Sequence, residues 1–174
     1  MPNLVLVRNE YQDYRALRRV LSYVLRSNLY GGYGIDPSKA YEQMVFVKEA
    51  YHKKSGVQLK HFFLTFSDHE MFYMSFEDIL NLGFEVGRFF GEYQLVYAIH
   101  LDSNSNHTHL HCVMNTTSFL DGHKYCDGLS KFNALCRYLR ERFPRFDVHL
   151  FQTEHYNALR PYGKDDQGIF RSIE

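Results

Sequence analysis

The amino-acid sequence predicts an α+β domain with a central, mainly antiparallel sheet and helices packed on its faces. Three observations lead there. Apolar residues recur at helical spacing over 11–28, 38–54, 75–91 and 130–143. Between them stand short strand-like runs at 4–7, 60–67 and 93–101. The last of these continues through a polar turn, Ser103-Asn104-Ser105-Asn106, into a second arm, so residues 97–115 read as a β-hairpin. At 174 residues the chain suits one domain, which we place at 1–152 with a polar, partly ordered tail over 153–174.

The elements follow in order. Residues 4–7 form a short strand. The first helix carries Tyr14, Leu17, Val20, Leu21, Val24 and Leu25 on one stripe, and Gly31-Gly32-Tyr33-Gly34 ends it as a loop. At 100° per residue Tyr23 falls opposite that stripe, next to Arg19 and Arg26, with Arg15 a turn further back. Ser38 caps a second helix that Gly56 closes, and K-H-F-F-L-T-F-S over 60–67 is a strong strand. Asp68, His69 and Glu70 follow it, most simply as a solvated turn, with support of a metal ligand as the alternative. Ser75 with Asp78 makes a variant capping box for the third helix. After the hairpin, Asp121-Gly122 signals a tight turn within 119–125. The last helix ends in Arg137, Arg140, Arg142 and Arg145, a second cationic patch, and 147–152 forms an edge strand.

The hairpin carries the chemistry. A four-residue loop in register makes opposed positions sum to 209. That sets Asp102 against His107, His100 against His109, and Ala98 against His111. Side chains alternate faces along a strand, so all of these share one face. Opposed Cβ atoms lie roughly 4.5–5.5 Å apart, which lets His100, His109 and His111 converge beside the small Ala98. Neutral imidazoles gathered in this way suit a divalent ion of the zinc, manganese or nickel kind. His107 is a further possible ligand, and Asp102 is placed to orient a ligating ring or to join the coordination. The competing explanation is a solvated, histidine-rich hairpin that holds nothing. A cysteine-based structural zinc is disfavoured, because Cys112, Cys126 and Cys136 lack paired spacing.

The sequence H-x-D followed by H-x-H-x-H and V-M-N, over 100–115, resembles the third motif of the relaxases, mobilisation nucleases of the HUH endonuclease superfamily. The similarity extends over roughly residues 15–143. It implies the HUH, ferredoxin-like arrangement of the sheet with the histidine hairpin at its centre. It also implies a divalent ion, manganese or magnesium in use, with zinc or nickel able to occupy the same site. Relaxases cut one DNA strand with a tyrosine near the N-terminus. Tyr23, in L-S-Y-V-L-R, resembles that nucleophile, with Tyr30 and Tyr33 as rivals. The implied function is nicking of single-stranded DNA at a transfer origin, through a 5′-phosphotyrosine, in plasmid or mobile-element mobilisation. Tyr23 and Asp102 would be the catalytic pair. Accessory DNA-binding or coupling proteins are the implied partners.

Composition bounds this reading. Twenty basic and twenty acidic residues give zero formal charge, which argues against an indiscriminate nucleic-acid binder. DNA must meet a local patch, for which Arg15, Arg19 and Arg26 are the candidates, aided by some of the 15 phenylalanines and 14 tyrosines. No run is long enough to span a membrane, we expect no signal peptide, and the cysteine usage suits a cytoplasm. Two alternatives stay open: a replication-initiator or transposase-type nuclease of the same superfamily, and a non-catalytic DNA- or metal-binding accessory protein.

Overall fold

The computed structural model describes residues 2–7, 11–102, 107–126 and 128–150. Its elements run β1 (Asn3–Leu6), α1 (Tyr14–Val24), β2 (Tyr30–Tyr33), a 3-10 turn (Pro37–Lys39), α2 (Ala40–Ala50) and β3 (Leu59–Phe66). They continue with α3 (Asp68–Met71), α4 (Phe76–Phe90), β4 (Leu95–Asp102), β5 (His107–Asn115), α5 (Leu129–Arg142) and β6 (His149–Leu150). The strands form one six-stranded sheet in the order β2-β4-β5-β3-β1-β6. Every pairing is antiparallel except β1 with β6. The architecture is the expected α+β sheet with helices packed on it, here on both faces.

Strand alternation decides what each face holds. One set of positions, Leu64, Phe66, Leu95, Tyr97, Ile99, Leu110, Cys112 and Met114, packs with Ile79, Leu82 and Val86 of α4 and Phe132, Leu135 and Leu139 of α5. This is the larger core. The other set forms rungs across the central strands: Val96–Val113, then Ala98–His111, then His100–His109. The apolar lower rungs lie under Leu17, Val20, Leu21 and Val24 of α1 and Met44 of α2. The histidines begin where that apolar cover ends. A polar set of side chains on an otherwise packed sheet face thus follows from the order of residues along two strands.

Local signals explain the helix ends. Asp13 caps α1 by accepting from the Ala16 N–H at 2.7 Å. The Ser75–Asp78 capping box opens α4, and Gly91 closes it at φ 62°, where a side chain would be strained. The Asp121-Gly122 turn is present, with Gly122 at φ 77° and a bridge between Thr117 and Lys124.

Three readings change. The glycine-rich stretch after α1 is an edge strand, β2, paired with β4, not a loop. Close approach is the reason, since a Cβ on Gly31 would lie 2.5 Å from the Tyr97 ring. The second helix is split, with Pro37 starting a 3-10 turn capped by Asp36 before α2 begins at Ala40. The final strand pairs parallel to β1 over His149 and Leu150, and its expected end at 151–152 lies outside the described residues. The hairpin turn at 103–106 and the tail also lie outside them.

Candidate active site on the histidine hairpin

The hairpin register agrees with the arithmetic of the sequence, with Asp102 opposite His107, His100 opposite His109 and Ala98 opposite His111. His100 and His111 are buried, and their ring centroids are 4.6 Å apart. His109 is half-buried, 6.1 Å from His111, and leans on Phe63 at 5.6 Å. Asp102 and His107 hold their strand positions, but their side chains lie outside the described part of the structure. His100, His109 and His111 therefore share a face without closing fully on one point. Among the described residues, ligand atoms of three such groups come within 4.8 Å of one another only at Glu92, Asp121 and His123.

That second group stands at the other end of the sheet, just before β4 and just after β5. Both nitrogens of His123 already have partners there: Nδ1 meets Asp121 Oδ1 at 2.6 Å and Nε2 meets the Tyr93 hydroxyl at 2.6 Å. It reads as a hydrogen-bonded clasp between two loops.

Helix α1 brings the tyrosine. Its C-terminal carbonyls have no partner within the helix, and His100 Nε2 donates to the carbonyl of Val24 at 2.9 Å. This fixes the His100 tautomer and leaves Nδ1 as the bare acceptor. Nδ1 is buried and has no hydrogen-bond partner among the described residues. A buried lone pair of this kind is costly unless something binds it.

The ring of Tyr23 meets His100 edge-on at 5.0 Å and His111 at 5.6 Å. Tyr23 does not point outward, opposite the apolar stripe. It is half-buried over the histidines, and the stripe packs on that same sheet face. The cause is Ala16, which is also buried. At 3.6 residues per turn Tyr23 lies only about 20° around the helix from it. The tyrosine therefore sits at the border between the buried sector and the arginines. Arg26 covers its outer side, with Cζ 4.5 Å above the ring centroid. Arg15 and Arg19 are exposed further along the helix.

The rivals are placed differently. Tyr33 is paired with Leu95 and packs against Phe84 at 5.8 Å, on the α4 side of the sheet. Tyr30 is opposite Ala98 on the histidine side, but at the exposed edge of the sheet. Asp68 and His69 are exposed, and Glu70 caps α3 through Ser67. The arginines of α5 lie on the far face: Arg142 pairs with Glu85 at 2.6 Å and Arg140 donates to the Val148 carbonyl at 3.0 Å.

Sequence reasoning missed His61. It is buried on β3, one strand over, with Nε2 3.1 Å from His111 Nδ1. Its position in 60–67 gave the strand but not the neighbour. Burial favours the neutral form of His61, His100 and His111. It drives His61 down to about 3, with His100 adding to the effect. His111 is held well below the ordinary histidine value by burial, then by its histidine neighbours and Arg26. His100 is lowered by burial against the opposing pull of the Val24 carbonyl. Neutral rings are the form that binds a cation.

The site thus sets neutral imidazoles and one bare buried nitrogen on the central hairpin of a mainly antiparallel sheet against an arginine-covered tyrosine of α1. Over residues 7–143 the sequence matches the family described as Relaxase: MobA/VirD2-like, nuclease domain, and the chain belongs to that family. No curated protein and no solved structure matches the chain. Relaxase nucleases act on single-stranded DNA and are generally metal-dependent. Among the described residues no helix is long and apolar enough to cross a membrane.

Proposed function

We propose that this domain nicks one strand of DNA at a transfer origin, using Tyr23 as the nucleophile and a divalent ion held by His100, His109 and His111. One observation carries the reading: the Tyr23 ring lies 5.0 Å from His100, whose Nδ1 is buried and has no partner among the described residues. Three imidazoles suit an ion of the zinc or nickel kind best, and the manganese or magnesium that the family resemblance implies in use would need oxygen ligands beside them, from Asp102, the phosphate or water. Bound there, the ion would supply a Lewis-acid contact to the scissile phosphate. His109, half-buried on the same face, would complete the set, with His107 and Asp102 opposite each other one rung further along.

The chain's own groups do the rest. Tyr23 Oη forms a bond to phosphorus as the bond from phosphorus to the 3′ oxygen breaks. The phenolic proton is lost, and the 3′ hydroxyl leaves protonated. The 5′ end stays on the tyrosine, and resealing is the reverse reaction. A phenol of ordinary pKa near ~10 is a weak nucleophile at neutral pH. The Arg26 guanidinium over the ring favours negative charge on it. The bond from His100 to the Val24 carbonyl fixes the end of α1, and so the tyrosine, relative to the ligands. Arg15, Arg19 and Arg26 would meet phosphates, which a chain of zero net charge must do locally.

The test uses labelled single-stranded oligonucleotides from neighbouring DNA, with manganese or magnesium, resolved on a denaturing gel. Cleavage that EDTA abolishes supports the reading. Stoichiometric DNA binding with no cleavage under any divalent ion would give the accessory-protein alternative instead.

A further inference from the structure

His61 is fully buried and belongs to none of the groups assigned above. Its Nε2 lies 3.1 Å from Nδ1 of His111, and the two rings are tilted 35° at 5.3 Å between centroids. Two neutral imidazoles that close form one hydrogen bond, so one nitrogen of the pair carries the hydrogen and the other accepts it. The choice has a consequence across the ring. If His111 donates from Nδ1, its Nε2 is a bare lone pair. If His61 donates instead, the hydrogen of neutral His111 sits on Nε2, which then cannot bind a cation.

We propose that His61 is a positioning residue that accepts from His111 Nδ1 and thereby holds His111 as an Nε2 metal ligand. This rests on the metal reading above. It gives the site a second fixed tautomer: the Val24 carbonyl leaves Nδ1 bare on His100, and His61 leaves Nε2 bare on His111. Ligating histidines commonly donate their other N–H to a carboxylate, a carbonyl or water. Here an imidazole takes that role. Phe63 lies 5.4 Å from His111 and Tyr11 lies 6.5 Å from His61, so the pair is enclosed by rings, and an apolar surround makes a lost partner expensive.

The experiment has two readouts. Nitrogen-15 long-range NMR of the histidines in metal-free wild-type protein should show His111 protonated on Nδ1. Titration with Mn2+ alone should show His61→Leu binding 10–100-fold more weakly, the usual loss when such a partner is removed. His61→Gln, whose amide oxygen can accept, should recover much of that affinity. Wild-type affinity in His61→Leu, or His111 protonated on Nε2 in the wild type, overturns the proposal while leaving the metal site in place. A wild-type protein that binds no Mn2+ removes the metal reading and this proposal together. If His61→Leu does not fold, the wild-type tautomer and the His61→Gln titration still decide it.

Discussion

Lys48 offers a test of the fold at the foot of the histidine strand. Its side chain is fully buried, donating from Nζ to the Gln58 carbonyl at 2.7 Å and to Asn115 Oδ1 at 2.5 Å. Asn115 in turn donates to the Met44 carbonyl and to Gln94, so this network ties α2 to the end of β5. Burial, with help from Lys124, pushes Lys48 down from 10.5 to about 7. At about 1.36 kcal/mol per unit that is roughly 5 kcal/mol between the two protonation states. The folded pKa lies below the unfolded one, so the unfolded chain binds more protons between pH 7 and 10.5. Stability from this group must therefore rise with pH across that window and be flat below it.

Lys48→Met removes the titration. It leaves Gln58 without that donor, a loss of about 1–3 kcal/mol, whereas Asn115 Oδ1 still accepts from the Thr117 N–H. With that loss taken as about 2 kcal/mol, the variant should be more stable than wild type by about 3 kcal/mol below pH 7 and less stable by about 1.5 kcal/mol near pH 10.5. Urea unfolding at pH 6, 8 and 10 reads the difference. Two curves that stay parallel over that range would refute the reasoning.

Two further outcomes follow from single contacts. Gly87→Ala should gain helix propensity of about 1 kcal/mol, yet its Cβ would lie 2.3 Å from Tyr33 Cβ. We expect net destabilisation of up to about 2 kcal/mol in urea, since overpacking costs about 1–3 kcal/mol; a raised midpoint would contradict the close packing of α4 on β2. Arg26→Ala should lower the salt slope of single-strand binding by about 0.7, the share of one phosphate contact. Fluorescence anisotropy at several salt concentrations measures it, and an unchanged slope would place the phosphate elsewhere.

The hairpin was legible because its histidines alternate, and period-two alternation on either side of a short turn leaves one register that gathers them. The helices of the larger core were legible for the same reason, at period 3.6. Strand β2 was not, because Y-G-G-Y contains none of the β-branched residues that mark strands. Only Tyr97, lying where a Cβ at Gly31 would be, explains why glycine belongs there. Tyr23 was found by type and neighbourhood, yet its direction depended on Ala16, which is too small to stand out in a hydrophobic pattern. His61 was invisible as a partner because which strand lies beside β5 is a matter of topology, not of local sequence.

In the proposed reaction everything turns on the hydroxyl of Tyr23 taking up the DNA. Mass spectrometry of the peptide that carries the oligonucleotide, after incubation of wild-type protein with cleavable single-stranded DNA and Mn2+, tests it directly. One adduct should form, on Tyr23, and be absent from Tyr23→Phe although that variant still folds and binds the strand. An adduct on Tyr30, or one that persists in Tyr23→Phe, would contradict it.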